Sequence, residues 1–213
     1  MLVDFLDMFN LSRAYEDKFS SALSNKLKAK IPNMLNILEQ MSFLDGGLSF
    51  FNDSVDGIAP KLDIISEYAE NLHLKITEIT PNRELIDLSD SGFFILRDGP
   101  IKVIFNSSNI EPSYQPGHSH ADTLSLEASF GEERLIVNSG ISTYDDNNKR
   151  IFQRSTKSHS TLEINNKNSS NVWSSFRVAE RAKITSRKIE KDDGFEYCVS
   201  ASHNGYSRFF NEC

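Results

Sequence analysis

The chain has 213 residues, 38% hydrophobic and 10% aromatic, enough to bury a sizeable core in one large domain or two small ones. Its 30 acidic against 23 basic residues give a formal net charge of -7, which excludes a general nucleic-acid binder and requires a polyanionic partner to be met by a local basic patch. No apolar run approaches the ~18 residues of a membrane span, and the opening MLVDFLDMFN carries acids where a secretory leader carries Lys and Arg.

From Val3 to Met41 apolar residues recur at three- and four-residue steps, through Phe5, Met8, Phe9 and Leu11, then Leu23, Leu27, Ile31, Leu35 and Leu38. This spacing predicts two helices separated near Glu16 to Ser21. A polar loop, DGGLSFFNDSVDG, follows. Pro60 suits the first turn of a third helix, which would carry Leu62, Ile65, Tyr68, Ala69 and Leu72 on one face. After Pro81 the pattern changes to short runs between turn signals, with FFILRDGPIKVIF a hairpin about Asp98-Gly99-Pro100. In LSLEASFGEERLIVNSG, a second hairpin, Leu124, Leu126, Ala128 and Phe130 alternate with Ser125, Glu127 and Ser129, which predicts an apolar buried face. Further strands are expected over Ser160 to Ile164, Phe176 to Ser186 and Phe195 to Ser202. The class is α+β: a helical segment over 1–86 and an antiparallel β-sandwich over 87–213, with the boundary near Glu84 to Ser91. Cys198 and Cys213 read as unpaired thiols.

The segment YQPGHSHADTLSLEASF places His118, His120 and Asp122 two residues apart, on one face if the segment is a strand. That face continues into Leu124 and Leu126, so the ionisable groups would sit at the end of a buried layer. His159 in STKSHSTLEIN and Asn138 in LIVNSG open and close other strand-like runs. Two accounts stand side by side: surface or turn histidines, or a zinc site in which His120 and His159 bind the ion and Asn138 or Asp122 supplies oxygen. Lys149, Arg150, Arg154 and Lys157 form either a solvated loop or an anion patch; Arg154, whose guanidinium can bind a carboxylate bidentately, is singled out by its place in the FQRST stretch that carries the resemblance given next. Trp173, the sole tryptophan, could stack on a ligand ring or close the core; His203 and Tyr144 are weaker site candidates. The absence of HExxH argues against a zinc hydrolase.

Over most of its length the chain resembles the C-terminal region of the heparinase II/III-like family, which includes oligoalginate lyases. The resemblance is carried, in one order, by FFNDSVDGIAP, SGFFILRDG, YQPGHSHADTLSLE, LIVNSGISTYD, FQRSTKSHSTLEINNKNSSNVWSSFRVAERA and ASHNGY. It implies the last helices of an (α/α) toroid leading into an antiparallel β-sandwich, and β-elimination on uronic-acid-containing polysaccharide. It implies His118 as the histidine that neutralises the sugar carboxylate or moves a proton, and His120 and His159 as zinc ligands. Asn138 falls where several members have an aspartate ligand, and a neutral amide oxygen binds zinc more weakly. The tyrosine and asparagine that such lyases take from the toroid are not matched by Tyr15 or Asn10, so the chain is read as a fragment carrying half of the active site. The resemblance also implies an acidic polysaccharide or oligosaccharide substrate and a periplasmic or extracellular location in bacteria. The alternative function is a non-catalytic carbohydrate-binding or zinc-stabilised structural β-domain.

Overall fold

The computed structural model describes residues 1–74, 83–190 and 197–210. The chain divides into two compact units, one of Met1–Leu48 with Asp56–Pro81, the other of Ser49–Val55 with Asn82–Cys213.

The first unit holds α1 (Leu2–Ala14), α2 (Ser21–Met41) and α3 (Leu62–Asn71). The expected break between the first two helices falls where Ser20 caps α2, its hydroxyl accepting from the Leu23 N–H at 3.3 Å. The predicted stripes converge: Leu6 and Phe9, Leu27, Ile31 and Leu35, and Ile65 and Ala69 are buried in one cluster. Each fully buried Leu or Ile of such a cluster contributes about 1.5–3 kcal/mol relative to exposure. The third helix starts one turn position later than expected, at Leu62 with Lys61 as N-cap, so Pro60 precedes the helix. Asn10 is exposed and donates to the Tyr68 hydroxyl, which donates to Asp7, so its hydrogen bond joins two helices of this unit.

In the second unit β1 (Arg83–Leu88), β2 (Phe93–Asp98), β3 (Ile101–Asn106), β4 (Leu126–Phe130) and β5 (Glu133–Ile136) form an antiparallel sheet in chain order. Both predicted hairpins are present. β1 was not foreseen as a strand, and it crosses residue 86, where the helical segment was expected to end. Gly92 closes the β1–β2 turn at φ +80°, and a Cβ there would lie 2.5 Å from the Ser108 Cα, so no other residue fits without a shift. A short helix α4 (Asn148–Gln153) follows, then β6 (Val172–Trp173) paired with β7 (Arg177–Val178), and β8 (Ile184–Glu190) paired with β9 (Cys198–His203). The described residues are thus mixed helix and antiparallel sheet.

Three expectations need correction. Ser160 to Ile164 is not a strand; Ile164 makes a single bridge with Lys167. The run from Phe176 to Ser186 belongs to two different strands, β7 and β8. The polar face of β4 is the more deeply buried one, the inverse of the expectation: Ser125, Glu127 and Ser129 are 0–1% exposed, whereas of the apolar face Ala128 is buried and Phe130 is 54% exposed. Register explains the inversion, because Glu127 lies opposite Ile104, which lies opposite Ile95, and these two are the sheet's most deeply buried apolar residues. The segments around Phe50 and Asn138 are held to this face by N–H groups that both donate to Glu127 Oε1, at 3.0 and 2.9 Å. A carboxylate that accepts backbone donors is what these segments need and an aliphatic side chain lacks. Residues 195 and 196, where the last strand was expected to begin, and Cys213 lie outside the described residues; Cys198 is a free thiol on β9.

Candidate functional site

The site is built around Asp53, a residue of the loop that joins the helical sequence to itself. Its neighbour Asn52 takes φ +53°, a left-handed conformation that Asn tolerates, and Phe51 packs edge-on against Phe93 at 5.0 Å. The Asp53 side chain is 7% exposed and is surrounded by donors. His118 Nδ1 lies 2.7 Å from Oδ2 and His120 Nε2 lies 2.8 Å from Oδ1. Arg150 approaches both oxygens through its two terminal nitrogens, at 2.8 Å to Oδ2. Burial alone would raise the Asp53 pKa, but hydrogen bonds from His120, Arg150 and His118 outweigh it and hold the carboxyl well below its ordinary range. Asp53 is therefore ionised and can only accept.

Arg150 reaches Asp53 from α4, whose first turn is capped by the Asn147 side chain accepting from the Arg150 N–H at 3.0 Å. The guanidinium is fully buried, donates from Nε to the Ser175 carbonyl at 3.1 Å, and lies 5.1 and 5.4 Å from the Tyr144 and Phe176 ring centroids.

His118 and His120 do not lie on a strand, contrary to the spacing argument. Pro116 starts a 3-10 turn over Pro116–His118, and the chain is irregular until Leu126. The two imidazoles nonetheless share Asp53, because the turn brings both rings round to one carboxylate. His120 is 0% exposed, and its Nδ1 lies 3.0 Å from His159 Nε2. His159 Nδ1 is 2.7 Å from the Ser155 carbonyl, an acceptor, so Nδ1 carries the hydrogen and Nε2 a lone pair. By the same logic His120 Nε2 carries the hydrogen toward Asp53. Two neutral rings would then face each other lone pair to lone pair, which requires a shared proton or a cation. Burial lowers the His159 pKa, with Asp122 pulling the other way, which favours the neutral, ligating form. Outer N–H groups fixed by a carboxylate and a carbonyl, with inner nitrogens converging, are the donor arrangement zinc takes, so the pair fits that ion.

Asn138 is buried, its Oδ1 accepts from the Ser160 N–H at 2.9 Å, and its Nδ2 has no partner. Among the described residues no group of three or more His, Cys, Asp or Glu is gathered as a metal cluster.

His118 forms the exposed rim. Its side chain is 65% exposed and meets Tyr144 and Phe176 edge to face, at 6.0 and 5.8 Å between centroids. Trp173 is 53% exposed on β6, so its ring is not closing a core. Arg154 is fully buried instead of projecting to solvent: Nε and Nη2 donate to the Ser119 carbonyl at 3.2 and 2.9 Å, and Nη1 to the Ser174 carbonyl at 2.8 Å. Burial, reinforced by Arg150, pushes its pKa down to about 10. Of the basic run, Lys149 and Lys157 alone are exposed. His203 accepts from the Gly205 N–H at 3.1 Å, away from this cluster in contacts. The geometry thus gathers His118, His120 and His159, sets Arg150 of the basic run beside them, and adds Asp53 and Phe176, which sequence reasoning did not assign to the site.

A family model described as heparinase II/III-like, C-terminal, matches residues 80–211. No curated protein matches the chain. Among solved structures, a heparinase III superposes with a TM-score of 0.61 at 14% identity, over 95% of this chain and 36% of that one. A mutant of the heparan sulfate lyase HepC from Pedobacter heparinus gives 0.60 at 17% identity, over 95% of this chain and 32% of that one. A further structure of that lyase gives 0.55 at 18%, over 88% and 30%. The chain therefore spans about a third of the length of these structures, and at such identities the likeness is one of fold.

Proposed function

This chain belongs to the heparinase II/III-like family, of which it carries the C-terminal domain, and from that premise we propose that it works as part of a polysaccharide lyase. The substrate is a uronic-acid-containing polysaccharide or oligosaccharide and the reaction β-elimination. The finer architecture that goes with this reading is the end of an (α/α) toroid followed by a β-sandwich, in a periplasmic or extracellular bacterial enzyme. No helix among the described residues is long and apolar enough to cross a membrane.

The observation that carries the reading is an exposed imidazole, His118, mounted on a buried, ionised carboxylate and flanked by two aromatic rings. Elimination removes the weakly acidic proton at C5 of a uronate and expels the oxygen at C4. That needs a base near C5, an acid at the leaving oxygen, and donors that neutralise the sugar carboxylate. An imidazole nitrogen can both accept and donate a proton, so the exposed His118 can move a proton or donate to that carboxylate. Tyr144, Phe176 and the half-exposed Trp173 offer apolar faces on which sugar rings can stack. Arg154 is set aside as the carboxylate binder; Lys149 and Lys157 supply exposed positive charge. Zinc, held by His120 and His159 with Asn138 as the weak oxygen ligand, would neutralise the facing lone pairs and tie the two segments together. The proton steps stay with His118.

The test is to incubate the chain with heparan sulfate, alginate and other uronate polymers and follow the ultraviolet absorbance of the unsaturated product. The same assay is run with whatever polypeptide the full reading frame encodes. Product from either supports the lyase; binding without product from both favours the carbohydrate-binding module.

A further inference from the structure

We propose that Asp53 is the positioning residue of this site, a single carboxylate that fixes which ring nitrogen His118 offers to a substrate and which ring nitrogen His120 offers to a metal. The inference deepens the lyase reading and rests on it for what the two presented nitrogens then do. The geometry itself stands on contacts alone.

Each Asp53 oxygen takes one imidazole N–H and one guanidinium nitrogen of Arg150. A carboxylate has only acceptors, so both imidazoles must turn a protonated nitrogen toward it. For His118 that nitrogen is Nδ1, and among the described residues its Nε2 has no hydrogen-bond partner, which leaves it for a substrate. For His120 it is Nε2, which leaves Nδ1 facing His159. Arg150 cannot drift, because Ser175 holds its Nε. Water cannot substitute for the carboxylate, because Asp53 is 7% exposed and Arg150 and His120 are 0% exposed. One acid thus sets two tautomers, and the metal pair and the reacting imidazole are coupled through a distance of two oxygen atoms.

Asp53→Asn separates this from a merely structural role. The amide keeps the size of the carboxylate but offers one accepting oxygen and one donating NH2, so it cannot accept from both rings. The readout is long-range nitrogen–proton NMR of the full chain with labelled histidine, stripped of metal, on the alkaline side of the histidine titration. His118→Gln assigns the ring. In the native chain His118 is expected to hold its proton on Nδ1 and His120 on Nε2. In Asp53→Asn at least one of the two rings is expected to move its proton to the other nitrogen, and zinc affinity by chelator competition to fall about 10- to 100-fold, as for lost outer-shell partners elsewhere. A native His118 protonated on Nε2 alone overturns the proposal, as does a variant in which both rings keep the native pattern. If Asp53→Asn does not fold, the native spectrum alone decides. Lyase assays fail or succeed independently: correct tautomers without product from any polypeptide sink the proposed function and leave the positioning role standing.

Discussion

At the scale of single residues, exposure separates groups that chemistry needs from groups that hold the loops. His118 makes one hydrogen bond, to the buried Asp53 carboxylate, and leaves 65% of its side chain to solvent. Its replacement by Gln should lower kcat/KM of an active lyase by about 10²- to 10⁴-fold, the usual worth of a general acid or base. Gln keeps an amide that can donate to Asp53, so the stability loss should stay below the about 1.5–3 kcal/mol of a lost hydrogen bond to a charged group, which chemical denaturation would read. Arg154→Ala should do the reverse. It leaves the Ser119 and Ser174 carbonyls without their charged donor, and hydrogen bonds to charged groups are worth about 1.5–3 kcal/mol, so a loss of that order is expected in a urea melt. A loss of substrate affinity with unchanged stability would restore Arg154 to the binding surface. The sequence could not choose between these arginines: Arg150 and Arg154 are four residues apart, carry the same charge, and differ only in which partner the fold brings to them. Asp53 was hidden for the same reason. It lies 65 residues from His118 in a loop rich in Asn and Asp, and no local pattern marks one acid there as the buried one.

At the scale of elements, periodicity worked where burial follows hydrophobicity and failed where it follows hydrogen bonding. The helices of the first unit were legible because Leu27, Ile31 and Leu35 pack at helical spacing without competing polar demands. On β4 the alternation was real but its faces were exchanged, because Glu127 accepts the N–H groups of Phe50 and Asn138 from within the buried layer. Its second oxygen, Oε2, is buried without a partner. Burial raises the Glu127 pKa above its ordinary 4.5, and the N–H donors from Asn138 and Phe50 only partly offset this. A raised carboxyl keeps its proton longer in the folded than in the unfolded chain. Native stability from this group is therefore full below the unfolded value and declines as pH rises toward the folded one. Gln in the same place does not titrate, so the melting temperature of Glu127→Gln minus that of the native chain should become more positive as pH rises from the ordinary Glu value of 4.5 toward neutrality. A difference that stays flat or falls across that range would mean Glu127 is charged at no cost, and that a donor satisfies Oε2.

At the scale of the whole molecule, an acidic chain that is to hold the proposed acidic polymer must place its positive charge locally, and it must neutralise repulsions within its own site. Two of the four cations of the basic run are buried in that task, Arg150 on Asp53 and Arg154 on two carbonyls. The facing lone pairs of His120 and His159 are what these arginines leave unsolved, and a bound cation would resolve them. Anything that binds the folded chain alone stabilises it by mass action, so zinc at one hundred times its dissociation constant should add about 2.7 kcal/mol. For a chain of this size that corresponds to a rise of about 5–10 °C in the transition of the unit that holds the site. The chain has two compact units, so the measurement is calorimetric, which resolves separate transitions, and a chelator should reverse the shift. His159→Ala should abolish the shift. Asn138→Asp should enlarge it, because a carboxylate replaces an amide as the oxygen ligand, provided the Ser160 N–H bond to Oδ1 survives. An equal zinc response from the native chain and His159→Ala would place the ion elsewhere and leave the two imidazoles joined by a proton.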